Sequence, residues 1–113
     1  MTVSATQHTK NLRRLSCVVC GSTVDIELHH CHSGSMVDAG FHRGLSRKAS
    51  AFLQIPLNHK YHTGQFNPEA IGMRTWERMF GTQMEHLERV SELVGYDVIE
   101  LARRAIGPKW GDG

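Results

Sequence analysis

Apolar and polar residues alternate with a period of two between Val24 and His30. Val24, Ile26 and Leu28 fall on one side, and Asp25 and Glu27 on the other. That pattern predicts a strand over residues 24–30. A second apolar run, Phe52 to Leu57, predicts another short strand, ended by Pro56. After His62 the period becomes helical. Asn67 followed by Pro68 predicts an N-cap and a first-turn proline for a helix over residues 68–80. Ile71, Trp76, Met79 and Phe80 would form its apolar face, Gly72 is its weak point, and Gly81 stops it. Thr82 with Glu85 reads as a capping box, and Met84, Leu87, Val90 and Val94 recur at helical spacing as far as Gly95. Asp97 then caps a third helix through Ala105, with Val98, Leu101, Ala102 and Ala105 facing the core. Ahead of the strands, residues 1–9 are polar and expected to fray, and residues 10–15 suit a short basic helix or an arm. Residues 31–50, rich in Gly and Ser, predict a long functional loop with at most one helical turn.

Two strands and then helices describe one small α+β unit. The 113 residues are enough for a single domain, divided here into a flexible basic N-terminal segment (1–16), a folded domain (17–106) and a tail (107–113). Apolar residues make up 40% of the chain and charged ones 21%, which excludes wholesale disorder. No apolar run approaches the roughly 18 residues of a membrane span. The N-terminus has no apolar signal core. Three cysteines cannot all pair within the chain, so thiols in a reducing cytosol, free or on metal, are expected. A net charge of +2 says little, but its distribution separates two regions. Through Phe66, seven Lys/Arg face three Asp/Glu (7 − 3 = +4), and from Asn67 onward six face eight (6 − 8 = −2). Six of the eight histidines lie between His29 and His62, inside the positive part. The chemistry is therefore expected in the first two thirds of the chain and a scaffold in the last third.

Four groups of residues carry that chemistry. Glu27-Leu28-His29-His30-Cys31-His32 ends the first strand with tandem imidazoles, suited to metal ligation or to proton transfer near neutral pH. Strict alternation would put His29 and His30 on opposite faces, so one shared site requires the strand end to twist or bulge. His59 and His62, three apart, share a face on a helical turn and are placed to complete a site begun by His29. Cys17-Val-Val-Cys20 is half of a tetrahedral zinc site, with Cys31, His32, His42 or His59 available to complete it, or else a dithiol turn under the core. Arg43, Arg47 and Lys48 sit among glycines and serines, where Arg forks and backbone N–H groups approach phosphate, or else they are a solvated loop.

CxxCG, a strand ending in His-His, a basic glycine-containing loop and Pro-Leu followed by histidine resemble the HNH nucleases of the ββα-metal fold. ELHHCHSGS, RGLSRKAS, IPLNHKYHTG and GMRTWERMFGTQMEHLERV are more specifically similar to the phage-borne Ref family of RecA-dependent HNH-like nucleases. The resemblance spans residues 17–90. It implies a two-stranded antiparallel hairpin in a small ββα-metal core with additional C-terminal helices. It implies His30 as general base, with His29 and His62 as ligands of one divalent ion, Mg2+, Mn2+ or Zn2+. It also implies DNA as substrate, a RecA filament as partner, and a bacterial cytoplasm containing a phage or prophage gene product. This chain departs from the family twice. Asn58 and Tyr61 stand where a second thiol or histidine pair is common, so a structural zinc on Cys17 and Cys20 lacks its usual partners. A further histidine before the Gly-x-x-x-Trp string is also missing. Glu69 is the nearest carboxylate there, placed either to bind a hard cation or to complement the helix dipole in a first turn.

Three functions compete: a metal-dependent DNA endonuclease of recombination or repair, a non-catalytic nucleic-acid-binding module with a degraded metal site, and a structural zinc protein that binds a protein partner. Adjacent His29 and His30 favour the first, and the cations around them disfavour the third.

Overall fold

The computed structural model describes residues 3–32, 34–41 and 47–106. The order is α1 (Ala5–Leu12), β1 (Ile26–His30), α2 (Gly34–Asp38), α3 (Arg47–Phe52), β2 (Gln54–Asn58), α4 (His59–His62), α5 (Pro68–Ile71), α6 (Met73–Phe80), α7 (Gln83–Val94) and α8 (Val98–Ile106). The expected α+β architecture is present, with a two-stranded antiparallel hairpin and helices around it. Among the described residues no helix is long and apolar enough to cross a membrane.

The hairpin pairs Ile26 with Asn58, Leu28 with Pro56 and His30 with Gln54, in unbroken register. Pro56 lies inside β2 rather than ending it. Its carbonyl accepts from Val18 N–H at 3.1 Å, so this residue's backbone faces away from β1 and the missing N–H removes no ladder bond. The same bond docks the Cys17–Cys20 knuckle on the outer edge of β2. Residues 54–57 are all buried, with α7 and α4 packed on the hairpin.

Two short helices, α2 and α3, replace much of the loop expected over residues 31–50. Arg47 and Lys48 therefore begin α3 instead of lying on a loop. Arg43 and His42 lie outside the described residues, as does the tail 107–113. The helix expected over 68–80 is interrupted. Asn67 caps α5 through Ala70 N–H, but Gly72 has φ +89°, a conformation open to glycine, and the chain restarts as α6. Trp76 is fully buried on α6, while Met79, three residues on along the same helix, is exposed. The capping box Thr82/Glu85, the left-handed Gly95 and the Asp97 cap of α8 all occur where expected.

Among the described residues, 3–16 do not form a loose segment. Ser4 caps α1 through Gln7 N–H, and α1 packs against α3 with Leu12 and His8 wholly buried. Leu12 joins Phe52, Leu53, Ile55, Leu57, Trp76, Leu87, Val90 and Val98 in the core. His8 escapes a sequence reading because its partner is remote. Its Nδ1 lies 2.7 Å from the Tyr96 hydroxyl, which also accepts from Asn11 Nδ2 at 3.0 Å.

Candidate functional site

The His30 end of β1 opens on a cleft of about 410 Å³ lined by His29, His30, His32, His62, Thr63, Asn67, Pro68 and Glu69. The three residues that the resemblance implies, His29, His30 and His62, and the candidate carboxylate Glu69 therefore line one cleft. The ladder carries no bulge. His29 is buried and His30 exposed, as alternation requires, and the cleft wraps around the strand end to reach both.

Asn58 ends β2 and caps α4 by accepting from Lys60 N–H at 3.0 Å, and this turns the chain so that His62 faces the hairpin. The His62 and His29 rings meet edge to face with centroids 5.1 Å apart. His32 stands 5.4 Å from His29 by the same measure. Glu27 shares a strand face with His29 and clamps α4. Its Oε1 accepts from His62 Nδ1 and Thr63 Oγ1, each at 2.8 Å, and its Oε2 accepts from His59 Nδ1 at 2.9 Å. These bonds, His59's foremost, hold the Glu27 carboxyl below its usual range. With the proton on Nδ1, His62 keeps its Nε2 lone pair, an arrangement that suits metal ligation with a carboxylate behind the ring. His59 reaches the same Glu27 but does not line the cleft.

His30 Nδ1 lies 2.9 Å from Ser50 Oγ on α3. Donation from Nδ1 to that hydroxyl leaves Nε2 to accept a proton. Burial lowers the pKa of His29 to about 3, and the neighbouring His62, His32 and His30 add repulsion, so His29 is neutral near pH 7. Its Nε2 is 2.7 Å from Gln83 Nε2.

The donor set suits a divalent ion in part. His29 and His62 are neutral imidazoles in contact, with His32 and Glu69 further along the same wall. Among the described residues, however, no three His, Cys, Asp or Glu side chains form a group that could hold a metal ion. Among the described residues no third Cys or His joins Cys17 and Cys20 in a group that could hold a structural zinc. Cys17 is buried and Cys20 exposed, Cys17 Sγ accepts from Val19 N–H at 3.4 Å, and Gly21 N–H closes the turn on Cys17 O at 2.9 Å. The knuckle is thus a hydrogen-bonded turn, and all three cysteines are free thiols. Full burial, with Glu77 nearby, pushes the Cys31 thiol well up, so it is inert at neutral pH.

Arg47 and Lys48 are exposed at the start of α3, the helix whose Ser50 holds His30. Sequence reasoning missed Ser50, Glu77 and Gln83 as supports of the cleft, and gave Glu27 no role. The i, i+2 relation of Glu27 to His29 was a usable signal for Glu27. For Glu77 and Gln83 the signal was the Gly-x-x-x-Trp-Glu-x-x-x-Gly-x-Gln string itself. Comparison with protein-family models, curated proteins and solved structures finds no match to this chain.

Proposed function

We propose that the protein is a small metal-dependent DNA endonuclease with an HNH-like ββα-metal core, hydrolysing phosphodiester bonds in phage recombination or repair. The observation that carries this reading is His30. It is exposed in the cleft, its Nδ1 is held by Ser50 at 2.9 Å, and it adjoins the His29/His62 pair. Arg47 and Lys48 at the start of α3 hold the DNA backbone, and Arg43 has the same role by the sequence expectation. His30 Nε2 takes the proton of a water that attacks phosphorus, while Ser50 keeps the ring aimed. His29 and His62 would hold the divalent ion, His29 through the Nε2 that here faces the Gln83 amide, with Glu27 fixing His62, and Glu69 on the cleft wall would be the adjacent oxygen donor. The ion, when bound, neutralises charge on the phosphate and on the leaving 3′ oxygen. A RecA filament is the partner that the sequence resemblance attaches to this activity.

One observation favours a second reading, a nucleic-acid-binding module without catalysis: the Gln83 amide lies on His29 Nε2, and His29 and His62 form a pair rather than a trio. A plasmid-nicking assay separates the two readings. Parent and His30→Ala are compared with Mg2+, Mn2+ and Zn2+, with and without RecA filaments. Nicking by the parent and its loss in His30→Ala support the endonuclease. A parent that binds DNA and nicks nothing under all these conditions is the binding module.

A further inference from the structure

The Gly72-to-Gln83 string runs from the end of α5 through α6 into α7 and contributes no residue to the cleft lining. Its polar members nevertheless end on the cleft. Gln83, fully buried, opens α7, where a backbone N–H has no partner within the helix, and Glu77 Oε2 accepts that N–H at 2.7 Å. Glu77 Oε2 also accepts from Ser35 Oγ at 2.7 Å, which ties α2 to the same point. The Gln83 carboxamide reaches back toward the strand end. Its Oε1 accepts from the backbone N–H of His32 at 2.8 Å. Its Nε2 lies 2.7 Å from His29 Nε2 and 3.3 Å from Met73 Sδ.

These partners determine the protons. A backbone N–H only donates, so the oxygen end of the amide must face His32. The nitrogen end then faces His29 and the Met73 sulfur, and an amide nitrogen has only hydrogens to offer. His29 Nε2 must accept, which leaves its proton on Nδ1. We propose that Gln83 is a positioning residue of the cleft, setting the tautomer and the aim of the His29 imidazole. Its consequence for cleavage rests on the endonuclease reading above. The tautomer itself does not.

The test is nitrogen-15 NMR of the histidine rings, with His29 assigned by its loss in His29→Gln. In the parent, His29 Nε2 is expected to be unprotonated and Nδ1 protonated. Gln83→Glu replaces the donor by an acceptor, while its second oxygen still serves the His32 N–H, so Nε2 of His29 is expected to become protonated. Gln83→Leu removes both bonds, and the single tautomer is expected to give way to a mixture. Thermal unfolding of each variant shows that the fold persists. A protonated Nε2 in the parent overturns the proposal even if no variant folds. So does a folded Gln83→Glu or Gln83→Leu protein with the parent's His29 signals. The Nε2 lone pair that Gln83 holds is also the one a metal on His29 would need, so in the nicking assay Gln83→Leu is expected to reach the parent's rate at a lower metal concentration. A folded Gln83→Leu with the parent's metal dependence removes the mechanistic consequence. A parent that nicks nothing defeats the endonuclease reading and leaves the ring measurements to decide Gln83.

Discussion

Glu27 and His62 are 35 residues apart in the chain, yet the carboxylate accepts the His62 Nδ1–H at 2.8 Å. The bond joins the polar face of β1 to the single turn of α4, and it decides which nitrogen of His62 is left for the cleft. Glu27→Ala is expected to weaken Mn2+ or Zn2+ binding by about 10–100-fold, and Glu27→Gln by less, since an amide oxygen still accepts. Isothermal titration with the metal alone measures this. Unchanged affinity in Glu27→Ala would separate Glu27 from the metal.

His30→Ala is expected to lower the nicking rate by about 10²–10⁴ while metal content and DNA affinity stay near those of the parent, because neither uses that ring. Ser50→Ala removes one neutral hydrogen bond worth about 1 kcal/mol, so a loss of about fivefold is expected. Single-turnover kinetics on saturated enzyme read both. A Ser50→Ala effect as large as that of His30→Ala would mean that Ser50 does more than aim the ring.

His8 is expected to make stability pH-dependent. Burial lowers its pKa to about 4 from the ordinary 6.5, so between these values the unfolded chain binds the proton and the folded one does not. Stability is therefore complete above about pH 6.5, falls as pH drops toward 4, and is flat with respect to this group below that. At about 1.4 kcal/mol per pKa unit, the His8 share of the loss between pH 7 and pH 5 is about 2 kcal/mol. Burial lowers His29 and His86 as well, so His8→Leu should reduce the slope without abolishing it. Urea unfolding at the two pH values gives the difference. Equal slopes in parent and variant would show that His8 does not contribute.

Arg43, Arg47 and Lys48 are expected to contact phosphates. Changing each to Gln should flatten the dependence of log affinity on log salt by about 0.9 per lost contact on duplex DNA, or about 0.7 on single strands. Fluorescence anisotropy over a salt series measures the slope. An unchanged slope in the triple variant would leave these residues as solvated surface.

Features that depend on a few consecutive residues were legible in the sequence. The Asn67 cap, the Thr82/Glu85 box, Gly95 and Asp97 each satisfy backbone groups within about one helical turn, so the local chemistry is complete in the string of residues. The alternation of β1 and the concentration of imidazoles between His29 and His62 were equally local. Tertiary structure decided which side chains meet. Whether the first helix packs or frays depends on Leu12 and His8 finding Phe52 and Tyr96, the latter 88 residues beyond His8. Whether residues 68–80 form one helix or two depends on the turn at Gly72, after which Trp76 is seated in the core. Of the two histidines on α4, only His62 lines the cleft, and this depends on where Glu27 lies across the hairpin. Gln83 reads along the chain as the first residue of a capped helix. Its carboxamide reaches His29, 54 positions earlier, only after α7 has packed on β2, because a hydrogen bond between remote groups is specified by the whole core that brings them together.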